Sequence, residues 1–173
     1  MSRLIFVLLV MLAACAPRPI QESAGFRDTA SPIYSKAVFD LDRLDGPWFQ
    51  VAAFDNSDTG ECRKGMAEFT RTSKGMQMKY RLCVSGKTAA GGGAIASTGP
   101  GRFALAGKTD IGADWWVLWV DESYRTMAIG TPSGAFGFIL NRGADLPTDR
   151  LNAAREVFDF NGYRTEKLKV FAR

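Results

Sequence analysis

The sequence predicts an all-β fold: an eight-stranded antiparallel up-and-down β-barrel, a calyx, followed by a C-terminal helix and a final short strand. Three observations predict it. Gly46 to Phe54 leaves a Gly-Pro turn and continues through Trp48, Phe49, Val51 and Phe54, aromatic and β-branched residues that favour an extended chain. Asp114 to Asp121 reads Asp-Trp-Trp-Val-Leu-Trp-Val-Asp, an apolar run of strand length. Both of its faces need cover, which a closed barrel supplies with its interior on one side and a helix or a second copy of the chain, as in a homodimer, on the other. Arg142 ends a third apolar run, Phe136 to Asn141, and a guanidinium stacked on the Trp48 indole would seal one barrel end.

A leader precedes the barrel. Arg3, the apolar run Leu4 to Leu12 and Ala13-Ala14-Cys15 have the layout of a secretory signal. About a dozen apolar residues fall short of the roughly 20 that span a bilayer. The end of this stretch, Leu12-Ala13-Ala14-Cys15, resembles the lipobox of bacterial lipoproteins, which implies that residues 1–14 are a signal peptide and that Cys15 becomes the lipidated first residue. The competing reading is an ordinary secretory peptide with a coincidental cysteine. Ala16 stands where an aspartate would favour retention in the inner membrane, so the resemblance implies a lipid-anchored protein of the outer membrane, facing the periplasm. Residues 15–37, rich in Pro, Ser, Ala and single charges, have no hydrophobic period and are read as the lipidated cysteine and a flexible tether. Residues 38–173 are left for the barrel domain.

Within that domain, Val38 to Leu44 fits one short helical turn that plugs an end of the barrel. Met66 to Thr72 and Met76 to Val84 read as a hairpin across a three-residue loop, Ser73-Lys74-Gly75. Pairing Thr72 with Met76 would set Cys83 opposite Gly65, a few residues from Cys62. A Cys62–Cys83 disulfide is then within reach in an oxidising compartment, and two free buried thiols are the alternative. Two short strands are expected at Ala94 to Thr98 and Arg102 to Ala106, with Gly91-Gly92-Gly93 as a flexible loop. No Gly-Lys-Ser/Thr follows those glycines, so they are not a phosphate-binding loop. Tyr124 to Thr131 pairs back on the tryptophan strand, and Gly134 to Arg142 adds another. Leu151, Ala154, Val157 and Phe158 recur at helical spacing after Leu146-Pro147, with Thr148 or Asp149 as cap and a stop near Asn161-Gly162. Glu166 to Ala172 is the last strand.

Composition narrows the chemistry. The chain has 173 residues with 46% hydrophobic content, enough for one good core and one domain. It contains no histidine, which excludes Ser-His and Cys-His nucleophile pairs and histidine-ligated metals. A formal charge of +4 without a concentrated basic stripe does not point to nucleic acid.

Leu44-Asp45-Gly46-Pro47-Trp48-Phe49, Tyr124 to Pro132, and Phe138-Ile139-Leu140-Asn141-Arg142 with Leu146-Pro147 together resemble the lipocalins, and within them the bacterial outer-membrane lipoproteins. The resemblance covers about residues 38 to 173. It implies a cup for a small apolar ligand, in the bacterial branch a fatty acid or lysophospholipid, held for lipid transport, storage or membrane maintenance without a cofactor or metal. Two departures stand out. Asp121-Glu122-Ser123 replaces the family's Thr-Asp-Tyr turn, and the glycine-rich fourth and fifth strands read as short.

Gln50, Phe54, Phe69, Tyr80, Met127, Phe136 and Phe138 lie on runs with one inward face, and they mix aromatic walls with polar handles as ligand pockets do. Packed core is the alternative for each. Trp48 and Arg142 are read as closure of the end opposite the mouth. Two other functions compete: a structural or assembly lipoprotein whose filled barrel presents the Trp116 face to a protein partner, and an enzyme. For the latter, without histidine, the candidates are carboxylates such as Asp121 or Glu68, or a cysteine, and no pair of them is spaced as acid and base, so none is assigned a catalytic role.

Overall fold

The computed structural model describes residues 25–56, 64–106, 111–112 and 114–171. Nine strands among them form one sheet in the order β2-β3-β4-β5-β6-β7-β8-β1-β9, and β1 pairs with β2 as well, which closes eight strands into a barrel and leaves β9 outside it. The strands are β1 (Gly46–Phe54), β2 (Gly65–Thr72), β3 (Gly75–Val84), β4 (Lys87–Gly99), β5 (Arg102–Leu105), β6 (Asp114–Val120), β7 (Thr126–Gly130), β8 (Gly137–Asn141) and β9 (Leu168–Val170). A 3-10 turn, Leu41–Leu44, precedes β1, and one helix, α1 (Thr148–Phe160), follows β8.

Closure depends on how β1 divides its edges. Gly46 to Gln50 pair with β2, and Ala52 to Phe54 pair with β9 beyond the point where β2 begins. On its other edge β1 meets β8 with a register shift between Gln50 and Ala52. This bulge at Val51 resets the alternation of side chains. Trp48 and Ala53 face the interior cluster, whereas Val51, Ala52 and Phe54 join a second cluster outside the barrel. Strand β6 carries the same device between Val117 and Trp119, so Trp115, Val117 and Val120 point in while Leu118 packs outside.

The hydrophobic residues thus form two cores, where composition suggested one. The first fills the barrel. The second lies between the outer wall and α1, where Ala154 and Phe158 of the helix meet Phe54, Leu118, Ala128 and Ile139. The helix has the expected span, but neither Thr148 nor Asp149 caps it: Pro147 occupies the cap position without a side-chain hydrogen bond. At the other end the Asn161 amide donates to the Val157 and Phe158 carbonyls. Gly162 then takes a φ of +76°, the left-handed turn that ends a helix.

Three further expectations change. The β2–β3 turn holds two residues, Ser73 and Lys74, and Gly75 at φ +107° is already paired with Thr72. The register therefore differs by one from that predicted, and Phe69 faces Met78 while Ala67 faces Tyr80. Gly91, Gly92 and Gly93 are not a loop. They lie inside β4, opposite Tyr80, Lys79 and Met78. A Cβ on Gly91 would stand 2.6 Å from the Tyr80 hydroxyl, so glycine here makes room for an inward tyrosine.

The third change concerns the tether. Residues 25–36 are packed against the barrel: Phe26 and Arg27 are both buried. Arg27 donates from Nε to Asn161 O at 3.0 Å, and from Nη1 to Pro132 O at 2.6 Å. The 3-10 turn at Leu41–Leu44 lies at the closed end, where Leu44 joins the interior core.

Candidate functional site

At the closed end, the Arg142 guanidinium carbon lies 4.1 Å from the centre of the Trp48 ring. Arg142 also donates from Nη2 to Arg43 O at 2.9 Å and from Nη1 to Pro47 O at 3.2 Å. Trp48 is fully buried and gives its indole N–H to Leu44 O at 2.8 Å. Burial lowers the Arg142 pKa, with Asp45 acting in the opposite direction. Beside it Asp121 turns the chain from β6 into β7: its Oδ1 accepts from the Arg125 and Thr126 amides at 2.7 and 2.6 Å, around Tyr124 at φ +54°. That carboxylate is committed to backbone. Glu68 is exposed on the outer face of β2, so these two candidates share no site.

Moving up the barrel, the interior is a stack of rings. Trp115, with no exposed surface, lies 5.3 to 5.8 Å between ring centres from Tyr80, Phe103, Phe136 and Phe138. Phe69 meets Phe103 edge-on at 6.3 Å, and Phe136 stacks on Phe138 at 5.6 Å. Of the residues expected to line a cavity, Phe69, Tyr80, Met127, Phe136 and Phe138 all belong to this interior cluster. Phe54 does not. The Val51 bulge turns it out to α1, where its ring lies 4.8 Å from Phe158.

Gln50 is buried but is not a free polar handle. Its Nε2 donates to Cys83 O and its Oε1 accepts from Cys83 N, both at 2.7 Å, bridging to β3 across the start of β2. A Cβ on Gly65 would stand 2.5 Å from the Gln50 Oε1, so glycine clears the path. Cys83 is buried there, and Cys62 lies outside the described residues, as does Cys15. Trp116 is half-buried under the Arg102 guanidinium, 3.8 Å from its ring centre, so the face expected to receive a partner is covered by the chain's own side chain.

A hollow opens at the other end. Its volume is about 420 Å³, and it is lined by Val84, Ile111, Asp114, Thr131, Ser133, Ala135 and Phe136 among the described residues. Phe136 joins this hollow to the ring stack below. Sequence reasoning named Phe136 but missed the polar rim of Asp114, Thr131 and Ser133, which comes from strand ends and turns that carry no periodicity. It also missed Tyr163, whose hydroxyl accepts from the Thr131 amide at 2.8 Å and donates to the Phe136 or Thr131 carbonyl at 3.0 or 3.1 Å. Burial pushes the Tyr163 pKa up to about 12, against smaller lowering effects of Thr131 and Arg27. A second hollow, about 400 Å³, lies along the outward residues Met66, Glu68, Lys79 and Arg81 of β2 and β3.

An antiparallel barrel sealed at one end by Trp48 and Arg142, hollow at the other and backed by one helix is a calyx-type barrel. The lipocalin-like domain model matches residues 39–173, and the chain belongs to that family, whose members typically bind small hydrophobic molecules. No curated protein matches the sequence significantly. Among solved structures it is similar to insecticyanin from the tobacco hornworm Manduca sexta, at 14% identity and a TM-score of 0.60, over 86% of this chain and 87% of that one. The siderocalin Ex-FABP, described as having dual ligand specificities, is 14% identical with a TM-score of 0.56, over 76% of this chain and 95% of that one. The cockroach allergen Per a 4 is 13% identical with a TM-score of 0.58, over 83% and 95%. At such identities the likeness concerns the fold.

Proposed function

We propose that this lipocalin is a lipid-anchored binding protein that seats a single-chain lipid, a fatty acid or lysophospholipid, at the mouth of its barrel. The observation that carries the reading is the hollow itself: apolar Val84, Ile111 and Phe136 lie beside polar Asp114, Thr131 and Ser133, an arrangement suited to an acyl chain with a polar head. Deeper entry requires the rings around Trp115 to repack. The lipobox resemblance at Leu12 to Cys15 supports an anchor at Cys15 on the outer membrane, facing the periplasm. In that compartment Cys62 and Cys83 pair as a disulfide, whose reduction lowers stability by roughly 3 kcal/mol.

The test is to express residues 16–173 without the anchor, incubate them with a lipid extract, and identify what is retained by native mass spectrometry. Ala135→Arg, exposed on the rim of the hollow, is the blocked control. Retention of a single-chain lipid that is lost in Ala135→Arg is the expected result. The filled interior favours a second reading, an assembly lipoprotein that acts through a protein partner. Failure to retain any lipid by a folded protein would select it.

A further inference from the structure

Residues 25–36 decide from which end of the barrel the N-terminal segment leaves. The Phe26 amide donates to Gly134 O at 2.7 Å, and the Arg164 amide to Phe26 O at 2.9 Å. A Cβ on Gly25 would stand 2.6 Å from the Ser133 carbonyl oxygen, so the chain is pressed onto the β7–β8 turn. Thr131 and Ser133 of that turn line the mouth. From there the strap runs down the outer wall. The Tyr34 amide donates to Asn161 Oδ1 at 2.6 Å, the Lys36 amide to Val117 O at 2.7 Å, and the Asp40 amide to the Tyr124 hydroxyl at 2.8 Å, by then at the closed end. A tether that ended at residue 37 would have hung the barrel by its closed end, mouth away from the lipid. The docked strap reverses that attachment.

We infer that the anchored protein holds the mouth of its barrel toward the lipid surface, which makes the bilayer itself the surface the mouth addresses; this rests on the acylation of Cys15 proposed above. Cys15 stands ten positions before Gly25, and ten residues reach at most about 35 Å. Strand β3 spans ten residues, so the two barrel ends lie roughly 33 Å apart along it. The closed end could touch the lipid only if the intervening segment were drawn out along the whole barrel, at the cost of its conformational entropy. A lipid that leaves the bilayer therefore meets Phe136 and the polar rim first.

Energy transfer tests the orientation. The full acylated chain carries a fluorescent amino acid in place of Lys87, in the mouth-end β3–β4 hairpin, or Lys74, in the closed-end β2–β3 hairpin; both positions are exposed. It is reconstituted in vesicles of phosphatidylethanolamine and phosphatidylglycerol that carry a headgroup acceptor. Severalfold greater transfer from position 87 is expected. Equal transfer, or more from position 74, overturns the inference while leaving the anchor intact. Loss of both signals because the chain washes off the vesicles, with an unmodified Cys15 by mass, overturns the anchor and the orientation with it. In Phe26→Asp/Arg27→Ala, whose strap is released, the preference should vanish while the sheet signal in circular dichroism remains. A preference that persists in this folded variant shows that the strap does not set the orientation and overturns the inference.

Discussion

Tyr163 joins the outer core to the mouth through one hydroxyl, which makes it a chemical probe of both. Its pKa lies about 2 above the ordinary value of 10.0, chiefly because burial disfavours the phenolate. The folded state therefore holds its proton more tightly than the unfolded chain. The associated stability is present in full below pH 10 and is lost as pH rises from 10 to about 12, roughly 3 kcal/mol. Denaturant midpoints followed against pH should show this fall, and Tyr163→Phe should flatten it. The same variant should cost about 1–3 kcal/mol at neutral pH, since the Thr131 amide loses its acceptor. At the closed end, Trp48→Ala should destabilise by about 3–5 kcal/mol. Arg142→Lys keeps the charge but loses the planar fork that meets two carbonyls and the indole, and should cost about 1–2 kcal/mol by the same measurement. Trp48 and Arg142 were legible because each ends or begins an apolar run. Phe54 and Gln50 were not: the bulge at Val51, which carries no signal in the sequence, turns Phe54 outward, and the side chain of Gln50 is directed by Cys83, distant in sequence.

The order of strands and helix was readable from apolar runs and turn residues, and it agrees with the barrel found. Register was not readable by the same means. A hairpin with two residues in its turn and one with three differ by one step, and one step exchanges the inner and outer faces. Here Gly75 decides, with a positive φ that allows it to begin the strand directly after the turn. The expected inward positions of Phe69 and Tyr80 already favoured the observed pairing, because residues that share a face must lie opposite others of that face. The glycine run in β4 misled for a related reason: glycine signals a loop when read locally, but in this strand it answers the bulk of Tyr80 on β3. Gly91→Ala should therefore cost about 1–3 kcal/mol through overpacking, measured as a shift of the denaturant midpoint without a change in slope.

On the scale of the whole molecule, one sheet serves as a wall between two cores. The interior cluster and the helix-side cluster share strands but not side chains. A substitution that opens space inside, such as Trp115→Ala, should cost about 3–5 kcal/mol yet leave the α1 layer assembled, which helical circular dichroism would report. On the proposed lipid-binding reading, it should also enlarge the space beneath Phe136, so that longer acyl chains are retained in native mass spectra. The barrel was legible from its apolar runs and turns. The strap was not, because its composition is that of a linker and its fixed course comes from partners far along the chain: Arg27 bonds Pro132 and Asn161, separated from it by 105 and 134 positions.

Those separations also order events in time. A chain synthesised from its N-terminus presents residues 25–36 first, but the turn at 132–134 and the helix end at 161–164 that receive them come late. The strap cannot dock until nearly the whole barrel has been delivered. Until then residues 25–36 have not met the turn and the helix end that receive them. Docking of residues 25–36 then comes as a late step of folding, taken only once the far end of the chain is in place.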